Sequence, residues 1–509
     1  MADATTHRGG DTPAHSFLTA GPRAAGPALA RLTAAVWADG LATAEAAPAA
    51  AVLVRALERL PEHLLGRALV LLGLLAEADG PGAPDAYREV RKGLGACLRL
   101  LERSRGDDPL VHALLYVVSH FPEDRERILD RVDALGLAAD VSSRIRRCLR
   151  PLAGADAVIG RVWPSPAEWD LTDAEREQDR QWVAGLGPAR LAAAYDGDTR
   201  MLLGYAGALA HWAVRHGTPR QVHDARAPRP SPYPSPAGPA AWSRHAAVLR
   251  CPCCGGRPSP AADGHATCAA CSTRYPAGHG ILDLTAPVEA DADPADVLRN
   301  AATLASVGHY YETVLRPGFL RLMGGNWSGA VTPADEDAYI AAHTRPADGP
   351  VLDLAAGAGR WTGMLAEAVG VRRLIALDLN PSMLRRLRGA VPEAAAVRAD
   401  ALSLPFDDGS LGAVNCWNAL QAMPDPAAVV AEAARCLRPL GTLTLMTFRA
   451  ADDPVDRYFQ RSFRGPGFPD GMPLGDLSDI TAWVTDAGLD LLDASTPGNF
   501  VMITARRPG

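Results

Sequence analysis

The N-terminal part of the chain carries apolar residues at the three- and four-residue spacing of amphipathic helices. This spacing predicts helices over 49–60, 61–78, 86–103, 109–121 and 125–135, and a second helical stretch over 172–216. Helices of this length, joined by short breaks, pack as antiparallel pairs. We therefore expect an all-α N-terminal half, built as a helical bundle or an α-solenoid.

A different pattern begins at residue 349. Short apolar runs predict strands over 351–354, 373–377, 411–415 and 442–447, and an amphipathic segment predicts a helix over 426–437. Strands that alternate with helices form a parallel, doubly wound sheet of the Rossmann-like α/β class. Ligands of such a sheet bind at the carboxyl ends of its strands.

Five cysteines lie between these halves, and four of them form two pairs with two residues between the members. The pairs are Cys251 with Cys254 and Cys268 with Cys271, and thirteen residues separate them. Four thiolates complete a tetrahedral zinc shell and leave no position for a catalytic water, so the predicted Zn²⁺ site is structural. Cys253 is spare, since its use would break the spacing. The alternative is that these cysteines are free thiols.

These patterns predict five segments. They are a disordered tail over 1–20, a helical domain over 21–222, a proline-rich linker over 223–245, a zinc ribbon over 246–285 and an α/β domain over 286–509.

The charge balance bears on possible partners. The formal net charge is -7, and from Gly280 onward 28 acidic residues face 19 arginines, which argues against a nucleic-acid partner. No apolar run is long enough for a membrane span, and the first residues lack the apolar run of a secretory signal. We expect a cytoplasmic protein.

The turn after the first predicted strand has the composition of a cofactor site. Asp353 ends that strand, and small residues follow it over 355–359, where missing side chains let a ligand approach the backbone. Asp378 ends the next strand, where a carboxylate can accept both hydroxyls of a ribose. A further strand is predicted to end at Arg398, and Asp400 follows it, where an adenine amine could donate to it.

Four motifs carry a family resemblance. VLDLAAGAGRW, LIALDLNPSML, VRADALSLPFDDGS and AARCLRPLGTLTLMTF resemble the successive motifs of class I S-adenosylmethionine-dependent methyltransferases, in the branch of the ubiquinone/menaquinone C-methyltransferases. The cysteine pairs, GILDLT at 280–285, HYYETVLRPGF at 309–319 and the C-terminal NFVMITARRP are similar to a group of zinc-ribbon methyltransferases with plastid members. The resemblance covers about 246–509 and leaves the helical half without a counterpart.

The resemblance implies a binding site for S-adenosylmethionine. Asp353 and the small-residue turn would hold the methionine moiety, Asp378 the ribose, Asp400 with Ala401 the adenine, and Asn418 would face methionine and acceptor. The implied cofactor residues are Asp353, Ala355, Gly357, Gly359, Asp378, Leu379, Asp400, Ala401 and Asn418.

Acceptor and catalytic residues are expected around the same site. Three segments would contribute them: the helix before the methyltransferase core, the residues after the strand 411–415, and an aromatic- and arginine-rich insert over 450–477 that resembles a lid. The residues are Tyr310, Tyr311, Trp417, Gln421, Arg457 and Arg461. The candidates for a general base are His309, Tyr311 and His343. Relatives usually have a histidine where Gln421 stands, and glutamine cannot act as a base near neutral pH.

The leading hypothesis is a methyltransferase of specialised metabolism, such as natural product biosynthesis, acting on a small-molecule acceptor or on one bound to a carrier or peptide. The helical half would contribute recognition or form a homodimer. One alternative is methylation of rRNA or tRNA bases, because a zinc ribbon also precedes the core of some rRNA guanine-N1 methyltransferases. Another is a non-methylating role of the cofactor-binding fold, as a rearrangement catalyst or a scaffold.

Overall fold

The computed structural model of the protein describes residues 12–106, 108–151, 172–220, 222, 241–261, 264–285, 304, 306, 310–464 and 470–509. These residues divide into two compact units. The first takes the described residues within Met1–Arg161, Ala192–Arg220 and Ala451–Arg464, and the second takes those within Val162–Leu191, Gln221–Ala450 and Gly465–Gly509. None of the helices among these described residues is long and apolar enough to span a membrane.

The first unit is helical, which confirms the all-α prediction for the N-terminal half. Its helices are Pro13–Leu18, Ala25–Val36, Ala46–Ala56, Glu62–Ala76, Ala83–Lys92, Leu94–Arg103, Pro109–Val118, Arg125–Ala134, Ala139–Cys148, the larger part of Pro188–His216, and Pro454–Arg461. Two short strands, β1 (Trp37–Ala38) and β2 (Leu41–Ala42), pair as an antiparallel hairpin. The first helix lies inside the segment predicted as a disordered tail, and it is capped by Thr12 and anchored by the buried Phe17.

Two predicted helical stretches are interrupted. The stretch 86–103 consists of two helices that meet at Gly93. The stretch 172–216 is broken after Ala184, where Gly185 caps a first helix, Asp173–Ala184, that belongs to the second unit. Glycine favours such breaks because it lacks the side chain that restricts other residues to helical conformations.

Part of the insert predicted as a lid is integrated into the first unit. The ring of Phe459 is fully buried and packs edge-on against Tyr116, with 5.8 Å between the ring centroids. A Cβ atom on Gly207 would lie 2.4 Å from that ring, so the glycine makes the close approach possible. Within the same unit, Arg461 donates two hydrogen bonds of 2.7 Å to Asp39. The packing of 451–464 among the N-terminal helices was not expected from the sequence.

The second unit is built on an eight-stranded sheet, in agreement with the predicted α/β class. The strands are β6 (Ile281–Asp283), β7 (Val351–Leu354), β8 (Leu374–Asp378), β9 (Ala395–Arg398), β10 (Leu411–Trp417), β11 (Leu437–Phe448), β12 (Asp490–Ser495) and β13 (Phe500–Arg506). Their order is β12-β13-β11-β10-β7-β8-β9-β6, and all of them run in the same direction except β13, which is antiparallel to both of its neighbours. The carboxyl ends of the parallel strands therefore share one edge of the sheet.

Several helices of the second unit pack against this sheet. Its α-helices are Asp173–Ala184, Arg316–Gly324, Pro333–His343, Arg360–Leu365, Pro381–Ala390, Pro426–Cys436 and Leu477–Asp486, and Tyr311–Leu315 forms a π-helix before the second of them. Strands β7 and β10 are buried along their whole length, as the continuous apolar runs of the sequence predict.

A small sheet carries the cysteine pairs. It consists of β3 (Pro258–Pro260), β4 (His265–Cys268) and β5 (Arg274–Pro276), all antiparallel. Strand β6 follows β5 after four residues and joins the large sheet beside β9. The place of β6 in the large sheet was not expected from the sequence, because a three-residue strand carries no information about its pairing partner.

Candidate functional site

The turn after β7 leaves space for a ligand at its backbone. Ala355, Gly357 and Gly359 have φ angles of 57°, 54° and 94°, in the left-handed region that favours glycine. A Cβ atom on Gly357 would meet no atom within 4 Å, whereas one on Gly359 would lie 2.9 Å from the side chain of Leu387. Gly359 thus lets the helix Pro381–Ala390 pack closely against the turn, and Gly357 faces open space.

Asp353 lies buried at the end of β7. Its carboxylate accepts hydrogen bonds from Thr362 Oγ1 at 2.5 Å and from Asn415 Nδ2 at 3.1 Å. Burial raises the pKa of Asp353 to about 6, against the lowering effect of the two donors, and the nearby Asp378 raises it further. A buried carboxylate held in this way can accept a cationic group of a ligand.

Asp378 ends β8, next to the same turn. Its carboxylate accepts the backbone N–H groups of Gly357 and Asn380, both at 2.8 Å. Burial raises the pKa of Asp378, and these backbone donors oppose the rise. Leu379 is 56% exposed beside it, which leaves an apolar surface free at the turn.

Asp400 and Ala401 follow β9, as predicted. Asp400 is exposed, and its carboxylate accepts the N–H of Leu402 at 2.9 Å, while Ala401 is buried. The carboxyl ends of β7, β8 and β9 therefore bring together the acidic residues expected at methionine, ribose and adenine.

A chain of neutral polar side chains lies at the carboxyl ends of β10 and β11. Thr447 Oγ1 donates to Gln421 Oε1 at 3.1 Å, Gln421 Nε2 donates to Asn418 Oδ1 at 3.0 Å, and Asn418 Nδ2 donates to Tyr311 Oη at 3.4 Å. Asn418 has a left-handed φ of 57°, which these bonds hold in place. Burial raises the pKa of Tyr311 well above its usual value, so the phenol stays neutral.

A buried ionic group beside this chain escaped the sequence analysis. Glu336 pairs with Arg316 and accepts the indole N–H of Trp417 at 3.1 Å. The guanidinium of Arg316 lies over the ring of Trp361, 4.7 Å from its centroid. The arginine and glutamate lie on different helices, so no local spacing links them, although the charge of Arg316 within an apolar helix was a signal.

The other predicted residues are distributed as follows. Tyr310 is buried at the start of the π-helix, and His309 falls outside the described residues. His343 stacks on Tyr339 and hydrogen-bonds to Thr504, in the middle of β13 and not at the carboxyl edge. Arg457 and Arg461 belong to the first unit.

The four predicted metal ligands come together at the small sheet. The sulfur atoms of Cys251, Cys254, Cys268 and Cys271 all lie within 4.8 Å of one another. Cys251 Sγ lies 2.9 Å from the hydroxyl of Tyr275, and the N–H of Gly256 donates to Cys254 Sγ. Backbone and hydroxyl donors of this kind stabilise metal-bound thiolates. The cluster is compatible with structural zinc.

Comparison with known proteins agrees with this geometry. Residues 351–441 match the family model of a methyltransferase domain. This part of the chain is a methyltransferase domain of the class I, S-adenosylmethionine-dependent type. An uncharacterised chloroplastic methyltransferase of Arabidopsis thaliana is 29% identical to it over 259 residues, which are 47% of this chain and 70% of the relative. These matches confirm the prediction from the sequence motifs that the protein is an enzyme.

Two further matches are shorter or more distant. A malonyl-[acyl-carrier protein] O-methyltransferase of Methylococcus capsulatus is 36% identical over 112 residues, 21% of this chain and 41% of the relative. A solved structure of a putative methyltransferase from Bacillus halodurans aligns with a TM-score of 0.30 and 19% identity, covering 35% of this chain and all of that one. The assignment of a methyltransferase domain to this chain therefore rests on the sequence matches.

Proposed function

We propose that this methyltransferase acts on a small-molecule acceptor, or on an acceptor bound to a carrier protein or peptide, in specialised metabolism. The observation that carries the proposal is the buried Asp353 together with the half-buried Asp378, which accepts the backbone N–H of Gly357, where the backbone faces open space. Two acids around a space without side chains fit the cationic amino-acid tail and the ribose of S-adenosylmethionine. The cofactor supplies an activated methyl group on a sulfonium.

Each acid has a proposed part in holding the cofactor. Asp353 binds the ammonium group of the methionine moiety, and Asp378 accepts the two ribose hydroxyls while Gly357 and Asn380 keep its carboxylate in place. Asp400 and Ala401 bind the adenine amine and ring. Methyl transfer is an in-line displacement, so these contacts contribute by alignment.

The acceptor is proposed to lie against Asn418, Gln421 and Tyr311. Because the phenol of Tyr311 stays neutral, it orients the acceptor by hydrogen bonding and does not act as a general base. Such a site suits an acceptor atom that needs no strong base to become nucleophilic. Likeness to a malonyl-[acyl-carrier protein] O-methyltransferase supports acceptors bound to a carrier.

The test is methyl transfer from cofactor labelled in its methyl group. Full-length protein is incubated with pools of small acids and phenols, with malonyl-loaded carrier protein, with peptides and with rRNA. We expect label in the small-molecule or carrier pools, and none with Asp353→Asn. Label in rRNA alone would support base methylation instead, and cofactor binding without transfer to any pool would support a non-methylating role.

A further inference from the structure

Strand β6, which follows the cysteine-bearing sheet, ends at the edge of the large sheet where the cofactor is proposed to bind. Strand β6 runs parallel to β9, with Ile281 opposite Ala396 and Asp283 opposite Arg398. Because the two strands are parallel, Asp283 lies at the same carboxyl edge as Asp378. An acid from outside the methyltransferase motifs therefore reaches this edge.

Asp283 holds the side chain of Arg398. Arg398 Nη1 donates to Asp283 Oδ2 at 2.9 Å, and the other carboxylate oxygen of Asp283 accepts the N–H and hydroxyl of Thr285 at 2.9 and 2.6 Å. The two charged side chains are only 13% and 22% exposed, so solvent screens their attraction weakly. The guanidinium is thus fixed in one orientation.

Arg398 in turn holds one peptide group of the segment after β8, at Leu379 and Asn380, which we call the cofactor loop. Its Nε donates to the carbonyl oxygen of Leu379 at 2.9 Å. The peptide between Leu379 and Asn380 is planar and trans, so its N–H points away from its carbonyl. That N–H is the one that donates to Asp378 Oδ1 at 2.8 Å. The hydrogen bond that the carbonyl oxygen of Leu379 accepts from Arg398 therefore orients the N–H of Asn380 toward Asp378.

We propose that Asp283 and Arg398 are positioning residues for the ribose-binding acid. They orient the peptide after Leu379, and this peptide orients the carboxylate of Asp378 toward the cofactor. The strand supplied with the zinc ribbon thereby contributes to cofactor affinity. The inference rests on the proposed function in taking Asp378 as the ribose acid, and it assigns a role to Asp283 and Arg398, neither of which is among the cofactor residues that the resemblance implies.

The experiment measures binding of S-adenosylhomocysteine and of 5′-methylthioadenosine to the full-length protein by calorimetry. The second ligand lacks the amino-acid tail but keeps ribose and adenine. Asp283→Asn should weaken the binding of both ligands by about tenfold, because the charge-assisted hydrogen bond between Arg398 and Asp283 is lost. Asp283→Glu, which keeps the charge, should restore most of the affinity.

A matched control separates positioning from general stability. Arg257 joins the same cysteine-bearing sheet to Asp407 by an ion pair but does not contact the cofactor loop. Arg257→Met should lower thermal stability about as much as Asp283→Asn and leave both affinities unchanged. If Asp283→Asn does not fold, Arg398→Gln replaces it, with the same expected loss.

The outcomes distinguish this inference from the proposed function. Wild-type affinity in Asp283→Asn, or an equal loss in Arg257→Met, would overturn the positioning role and leave the proposed function intact. A wild-type protein that binds neither ligand would overturn the proposed function itself.

Discussion

Asp353 offers a test that links stability, pH and cofactor binding. In the ligand-free protein, burial raises the pKa of this carboxyl from 3.8 to about 6. A raised pKa means that the folded state favours the protonated form, so its stabilising effect is complete below pH 3.8 and is lost as pH rises through about 6. The difference between these two pKa values lowers the free energy of unfolding by about 3 kcal/mol at neutral pH, relative to its value below pH 3.8.

The substitution Asp353→Asn removes this titration with little change in shape. The Oδ1 atom of Asn415 is buried without a hydrogen-bond partner among the described residues. After an amide flip of Asn415, this oxygen can accept from the new amide, and Thr362 can still donate to the amide oxygen. The variant should therefore match the wild type near pH 4 and exceed it by up to about 3 kcal/mol above pH 7.

Hydrogen exchange in the peptides that contain β7 and β10 reports this free energy for the second unit. Asp400→Asn, which makes the same substitution at an exposed carboxyl, is the control for effects of the substitution that do not come from burial. The same Asp353→Asn variant should bind S-adenosylmethionine more weakly, since the carboxylate for the methionine ammonium is gone. A variant that is no more stable than the wild type at neutral pH, or a difference that does not change with pH, would refute the reasoning.

Three further predictions address other parts of the chain. Asp378→Ala should weaken S-adenosylhomocysteine binding by about 1 to 3 kcal/mol through lost ribose hydrogen bonds, and calorimetry showing unchanged affinity would contradict this. Gly207→Ala should destabilise the helical unit by about 1 to 3 kcal/mol by crowding the Phe459 ring, whereas Gly197→Ala, with no atom near its Cβ, should be neutral or stabilising in thermal unfolding. Cys254→Ser should abolish the zinc content measured by mass spectrometry, and Cys253→Ser should keep it.

Much of the site was predictable because it is encoded in short segments. The end of each strand, the small-residue turn and the acids Asp353, Asp378 and Asp400 follow from apolar runs and the residues directly after them. The cysteine pairs are equally local. Such features depend on spacing within about ten residues, which a single sequence displays.

The features that sequence analysis missed depend on contacts between distant segments. The pairing of β6 with β9 and the relay from Asp283 to Arg398 join residues 115 positions apart. Likewise, the ion pair of Glu336 with Arg316 and the burial of Phe459 among N-terminal helices arise only when the chain is folded. Local patterns do not specify which element a short strand or an inserted helix will pack against.

The most direct test of the account is native mass spectrometry of the gently purified protein, followed by denaturation and identification of the released small molecules and metal. We predict S-adenosylmethionine or S-adenosylhomocysteine, retained by wild type and lost in Asp378→Ala, together with one zinc ion per chain. Release of neither nucleoside, with no binding when they are titrated in, would contradict the assignment of the cofactor site.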